Sequence, residues 1–410
     1  MMNDISEHLK LKVWVLNPFD DIPGEGKPQR FWSLAEALSS RGHKVVWWSS
    51  KYSHRRKIER SIKDKDLQLM SFDLRLVECA PYQRNVTLAR IKNHREWGRN
   101  LVSRALNEVE QGVLPAPDVI IASMPPLEGP MAALELKAHF GCKVITDLMD
   151  AWPKTLLQVM PFGWAGRILG SLALYPYSRM LKRAMKESDV VTAQSETFAR
   201  YAEANGWSGQ SLVAYLGAEK PTRTIKIKRR EICKFVYIGA MGRSYDLENL
   251  VRVASILENE KFRFELHIAG EGEKLDALKT TAKESSMIHF HGFLQESDLM
   301  NLLNDSDVGI VPMYPESGVA VPYKAGEYLA SGLPLINSLN GEMLRLIEEY
   351  DCGLNYEAGN PDSLLFVMRT LLEAEIDSLE SMKKNALRLY SDKFDRNEIN
   401  SSLTRFIEQL

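Results

Sequence analysis

The chain has 410 residues, 45% of them apolar and 26% charged, so it is globular rather than disordered and long enough to build two cores. With 52 Lys+Arg against 54 Asp+Glu its formal net charge is -2, and its first half is only mildly basic, which argues against a nucleic-acid partner. The four cysteines (Cys79, Cys142, Cys233, Cys352) form no Cys-x-x-Cys pair, which argues against a zinc site or disulfide scaffold and fits a reducing cytoplasm.

The opening MMNDISEHLKLK has no apolar signal core, so export is not expected, and no apolar run of about 18 residues marks a membrane span. A strand is expected at 12–17. It runs into NPFDDIPGEGKPQRF, where Gly24 and Gly26 precede a helix with Phe31, Leu34, Ala35 and Leu38 at helical spacing. Such a turn either lets main chain approach an anion or sugar closely or is simply flexible. The dinucleotide fingerprint is not met, because Arg30 and Phe31 stand where its third glycine belongs.

A second strand is expected at 43–50. The basic run KYSHRRKIERSIKDKD (51–66) then reads as a solvated face or as contact with an anionic surface. Further strands are expected at 118–123, 143–148 and 189–195. The second of these ends in TDLMDAWPK, which puts Asp147, Asp150 and Trp152 at a strand's end. Either Asp is a candidate base or sugar-hydroxyl ligand, or else a cap of the next helix. The segment 160–187, MPFGWAGRILGSLALYPYSRMLKRAMKE, mixes aromatic, aliphatic and basic residues as interfacial segments do, and reads equally as a core helix.

The charged stretch 218–233 interrupts the alternation and reads as a linker. Beyond it, strands are expected at 234–239, 263–270, 287–292, 308–313 and 333–337. Strands apolar on both faces and separated by helices predict two doubly wound, Rossmann-like α/β domains, at 1–217 and 234–390, with a terminal helix over 391–410. Loops at the strands' carboxyl ends should carry the chemistry, with ligand in a cleft between the domains.

In the second domain YIGAMGRSYDLENL offers Arg243 to a diphosphate oxygen. His289 and His291 alternate with Phe290 and read as structural rather than metal-binding. Asp305 and Asp307 have the spacing of a metal-binding pair, but they lie between a helix and a strand. VPYKAGEYLASGLPLIN predicts a helix from Pro322 to Gly332. Its cap position, Val321, has no side-chain oxygen for the first free N–H groups. Those groups, with Lys324 and Arg243, suit a diphosphate, and Glu327 suits a pair of ribose hydroxyls; water is the alternative partner.

GVAVPYKAGEYLASGLPLI, with YIGAMGR, HIAGEGEKL, HFHGF and SDVGIVPM, resembles glycosyltransferase family 4, the retaining group of GT-B fold. GEGKPQRFWSLAEALSSRGHKVVWWSS is similar to that family's first turn and helix, and TDLMDAWP to its members that build bacterial surface polysaccharides. The resemblance implies an enzyme of hexosyltransferase type, in which the second domain holds a UDP- or GDP-sugar and the first holds a glycan or lipid-linked acceptor. It implies no metal. Glu327 takes the place of the ribose-binding glutamate, the amides from Gly318 to Tyr323 that of the phosphate and sugar loop, Gly239 that of the turn beneath the diphosphate, and Gly292 with Phe293 that of the base site. The family often has a second glutamate where this chain has Val319, and Glu316 is the nearest acid. Asp150 would contact the acceptor hydroxyl. A terminal helix returning to the first domain is implied as well. The 51–66 and 160–187 segments are compatible with peripheral attachment of a cytoplasmic protein to an anionic inner leaflet. The other readings are a sugar-nucleotide epimerase on the same fold and a non-catalytic glycosyltransferase-like partner subunit.

Overall fold

The computed structural model describes residues 10–62, 70–85, 87–158, 170–220 and 232–410. The chain divides into two compact units, Met1–Ala214 with Asn400–Leu410, and Tyr215–Ile399. Most of the expected linker, at 221–231, and the first part of the 160–187 segment, at 160–169, lie outside the described residues.

The first unit holds β1 (Lys12–Leu16), β2 (Lys44–Ser50), β3 (Asp73–Val77), β4 (Val119–Met124), β5 (Lys143–Leu148), β6 (Val190–Ala193) and β7 (Leu212–Val213). Their order is β3-β2-β1-β4-β5-β6-β7, and every pairing is parallel. Trp14, Leu16, Ile120 and Val144 reach a core closed by Trp97, Leu101 and Ala105 of the helix Leu88–Glu110. That helix starts where it does because Thr87 accepts the Arg90 amide at 3.3 Å.

The second unit holds β8 (Cys233–Ile238), β9 (Phe264–Ala269), β10 (Ile288–Gly292), β11 (Val308–Val311), β12 (Leu335–Asn337) and β13 (Gly353–Asn355), in the order β10-β9-β8-β11-β12-β13. Its core packs Phe235, Tyr237, Leu266 and Ile310 under Leu250, Val251 and Ala254 of the helix Leu247–Asn259. In each sheet the strand order reverses beside the first strand, so the turns after β1 and β4, and after β8 and β11, diverge to leave a crevice at the strand ends.

The strands β3, β7 and β13 are not among those expected. The helix Arg396–Ile407 carries the chain back to the first unit, where Arg41 holds Glu408 through two bonds of 2.8 and 2.7 Å and His43 adds a third at 3.0 Å.

Candidate active site

The turn after β8 begins with Gly239, at φ 129°. A Cβ there would stand 2.8 Å from the Lys324 Nζ, so the missing side chain is what admits that ammonium to the turn. Gly270, after β9, has φ 132°, and a Cβ on it would meet the Gly239 carbonyl oxygen at 1.9 Å. Main-chain bonds lace these turns to the end of β10: the Gly239 amide to the Ala269 carbonyl at 3.0 Å, the Gly270 amide to the Gly292 carbonyl at 2.7 Å.

The loop after β11 is held at its start by Asp246, which is fully buried. Asp246 accepts from the Tyr314 hydroxyl at 3.0 Å and the Gly359 amide at 2.8 Å, and the Tyr314 amide bonds the Ser244 carbonyl at 3.0 Å. A short 3-10 turn, Pro315–Ser317, follows and ends at Gly318, with φ 72°. Glu316 is exposed on it, and Val319 is half-buried beyond it.

The next helix is Tyr323–Ala330, one residue shorter at its start than expected. Its cap position is Pro322, which makes no side-chain cap bond to its first turn. Tyr328 fixes the helix: its ring fills the space that Gly309 leaves open, and its hydroxyl accepts the Ile238 amide at 2.8 Å. Lys324 is thereby turned inward. It is 9% exposed, its Nζ lies 4.1 and 4.3 Å from the ring centres of Tyr237 and Tyr245, and it has no hydrogen-bond acceptor among the described residues. Burial pulls its pKa down to about 7, against the opposing pull of Glu327. Glu327 is half-buried one turn nearer the middle of the helix.

Lys324 and the Gly239 turn are therefore in contact. Arg243 stands apart, 89% exposed and paired with Glu273 at 3.3 Å, and Phe293 is 62% exposed just past Gly292. Asp305 pairs with Lys234 at 3.0 Å and the buried Asp307 with Lys383 at 2.7 Å, which explains that pair as part of the scaffold. His289 and His291 stack with His267 at 5.0 and 5.2 Å, so a third imidazole does lie beside them. Among the described residues no three His, Cys, Asp or Glu side chains are grouped to hold a metal ion.

In the first unit Asp147 and Asp150 part company. Asp147 is 2% exposed; Arg30 grips it through bonds of 2.5 and 2.9 Å, and the Thr192 hydroxyl donates to it at 2.7 Å. Both oxygens are engaged within the fold, so the expectation that Asp147 meets an acceptor is replaced by an anchoring ion pair. The same pair accounts for Arg30, which had only marked the missing glycine. The turn holding Gly24 and Gly26 is pinned by Arg60 to Glu25 at 3.1 Å and to the Asp20 carbonyl at 2.7 Å. Gly26 leaves room for the Asp21 carboxylate, which a Cβ would meet at 2.4 Å.

Asp150 remains half-buried beyond β5. Burial raises its pKa, opposed by its bond from the Ala151 amide and by the charge of Arg90. Trp152, 7% exposed, lies 4.9 Å from the Arg90 guanidinium and 5.8 Å from the His94 ring. Phe19 packs on His54 at 4.9 Å and His94 at 5.5 Å, and Tyr82 bonds His54. Arg90, His94, His54 and Tyr82 were not expected from the sequence. The signal was Arg90 and His94 four apart, on the helix face that also carries the buried Trp97.

Two doubly wound domains in one chain, each with its glycine turns at the carboxyl ends of parallel strands, define the GT-B class of fold. Residues 26–215 match the glycosyl transferase 4-like domain family and residues 223–388 match the glycosyl transferases group 1 family. The chain belongs to the GT-B glycosyltransferases of the family 4 type. It is similar to the probable glycosyltransferase WbjE of Pseudomonas aeruginosa, 26% identical over 159 residues, which is 38% of this chain and 39% of WbjE, so the match spans well under half of that relative. Among solved structures it resembles sucrose-phosphate synthase from Thermosynechococcus elongatus, with TM-score 0.69 and 15% identity over 97% of this chain and 98% of that one. HepE of Anabaena, in complex with UDP-glucose, gives TM-score 0.65 and 15% identity over 98% of this chain and 100% of HepE. At such identities the structures speak for the fold.

Proposed function

We propose that the chain moves a sugar from a nucleoside diphosphate sugar to a glycan or lipid-linked acceptor of a surface polysaccharide, with retention at the anomeric carbon. The observation that carries this reading is the buried Lys324 ammonium, which lies beside Gly239 and has no hydrogen-bond acceptor among the described residues, under a helix start whose cap residue makes no side-chain cap bond. A diphosphate supplies the missing negative partner of both. Glu327 then accepts from the ribose hydroxyls, the Gly292–Phe293 turn meets the base, and the amides from Gly318 to Tyr323, including that of Val319, meet the phosphates and sugar. Arg243 closes from solvent.

As the bond between the anomeric carbon and the diphosphate oxygen breaks, charge collects on that oxygen, where Lys324, Arg243 and the amides act in this reading. The acceptor oxygen bonds to the carbon on the same face, and its proton leaves with the diphosphate. Asp150 orients the acceptor hydroxyl, and Glu316 faces the sugar in place of the acid that Val319 lacks. The two side-chain cations take the part a metal plays elsewhere, so no cofactor is required. HepE holds UDP-glucose, which makes a UDP-sugar the first donor to try and a GDP-sugar the second.

Thermal melting with free nucleoside diphosphates tests the donor reading. One base should raise the melting temperature, since a ligand at 100 times its dissociation constant adds about 2.7 kcal/mol. Glu327→Ala should lose that rise. If no nucleoside diphosphate moves the transition, the reading fails.

The reading also places the protein at an anionic cytoplasmic leaflet. The helix Tyr175–Glu187 buries Tyr177, Leu181, Ala184 and Met185, while Arg179, Lys182, Arg183 and Lys186 stay exposed beside Leu172 and Tyr175. That outer face suits acidic headgroups. In the basic run, whose residues 63–66 lie outside the described residues, Lys51, Arg55 and Arg60 pair with Glu78, Asp21 and Glu25 and so contribute less. Co-sedimentation with anionic but not neutral vesicles is the expected result, and equal recovery in both supernatants is the contrary one.

A further inference from the structure

Two half-buried cations of the cluster that includes Asp150, Arg90 and Lys57, bond uncharged groups. Arg90 donates from Nε to His94 Nε2 at 3.3 Å and from Nη1 to the Asn85 carbonyl at 2.9 Å. Lys57 donates to the Asn85 side-chain oxygen at 2.7 Å and lies 4.3 Å over the Tyr82 ring. None of these partners carries a negative charge, whereas Arg55, Arg60, Arg75 and Arg104 each meet a carboxylate. The charge of Asp150 is felt at Arg90, but the group packed against the guanidinium there is the Trp152 ring, at 4.9 Å.

The rings at this place are built to hold the guanidinium. Because Arg90 donates to His94 Nε2, that imidazole carries its proton on Nδ1, which lies 4.0 Å from Glu128. Burial and the nearby Arg90 charge keep both His94 and His54 neutral, with pKa values lowered to about 3 and about 4. Phe19 and Trp152 cover the guanidinium at 5.7 and 4.9 Å. Arg90, Lys57 and His54 are only half-buried, so solvent reaches them.

We propose that Arg90 and Lys57, with His54 as a neutral donor, form an anion subsite beside Asp150 for a phosphate or diphosphate carried by the acceptor. The inference rests on the transferase reading, and it narrows the acceptor from any glycan to a phosphorylated one. Arg90 is the binding group because its planar fork matches phosphate oxygens. His94 is a positioning residue, acting through Arg90. The same chemistry is offered by a soluble sugar phosphate and by a polyprenyl diphosphate lipid.

Selectively labelled histidine provides a local reporter. In full-length protein titrated with inorganic pyrophosphate, the His54 and His94 resonances should move. They should move equally in Lys324→Met, which disables the donor side. In Arg90→Gln the apparent affinity should drop about 10- to 100-fold, with partial recovery in Arg90→Lys. The melting shift caused by a nucleoside diphosphate reports separately on the second unit, so loss of the donor reading and loss of this subsite are told apart. Neutral phosphatidylcholine vesicles with and without polyprenyl diphosphate separate the sources: Arg90-dependent flotation identifies a lipid carrier, and Arg90-dependent pyrophosphate binding without flotation identifies a soluble phosphate. Resonances that stay put in the wild type, or that move equally in Arg90→Gln, overturn the proposal.

Discussion

Lys324 is a cation whose surroundings favour its neutral form. Two tyrosine faces attract the ammonium, yet burial dominates, and the pKa falls to about 7. A diphosphate bound beside it favours the charged form and draws the value back up. The bound state therefore holds more protons than the free state, and affinity must fall as pH rises above about 7. Phosphate itself is fully ionised there, its second pKa being about 6, so the trend reports the lysine. Titration calorimetry of the preferred nucleoside diphosphate should show a decline of up to about tenfold per pH unit between roughly pH 7 and 9. The same series in Lys324→Met should be flat and about 10- to 100-fold weaker at its start. A wild-type affinity that does not change with pH would place the lysine away from the phosphates.

At the scale of elements, sequence and structure agree where burial and pattern are strong. Buried strands such as KVWVL and VIIASM read as strands because both faces are apolar, and their positions follow. β3 reads DLRLV, with Arg75 turned out to Glu108 at 3.0 Å; an edge strand need bury only part of its length, so its apolar run is broken. β7 and β13, with two and three residues, are shorter than any periodicity can reveal. The bare start of Tyr323–Ala330 was legible because capping depends on local residue types, although the helix begins one residue later than its proline suggests. Partnership was not legible. Nothing in TDLMD tells Asp147 from Asp150; the first is engaged by Arg30, 117 positions earlier, and by Thr192, 45 positions later. Asp246 in SYDLENL looks like an ordinary helix cap, but it gives that helix no cap bond and instead holds Tyr314 and Gly359, far along the chain.

For the molecule as a whole, the return of the last residues to the first unit is the connection most open to measurement. Arg41 above all, then His43, holds the Glu408 carboxyl down at a pKa of about 2, below its ordinary 4.5. A depressed carboxylate contributes stability that is fully present above pH 4.5 and disappears as pH falls through about 2. Because Arg41 is partly solvated, the contribution is about 1 kcal/mol. Glu408→Gln should melt lower than wild type at neutral pH, and the gap should close between pH 4.5 and 2 in melts followed by circular dichroism. A gap that persists undiminished at the acid end would assign the effect to packing instead.

The same closure has a consequence for biosynthesis. Domains generally fold in the order in which they leave the ribosome, but this first sheet receives Asn400–Leu410 only after the whole second unit has been translated. Until then the surface around Arg41 and His43 waits uncovered on the nascent chain, so the half made first is the half finished last.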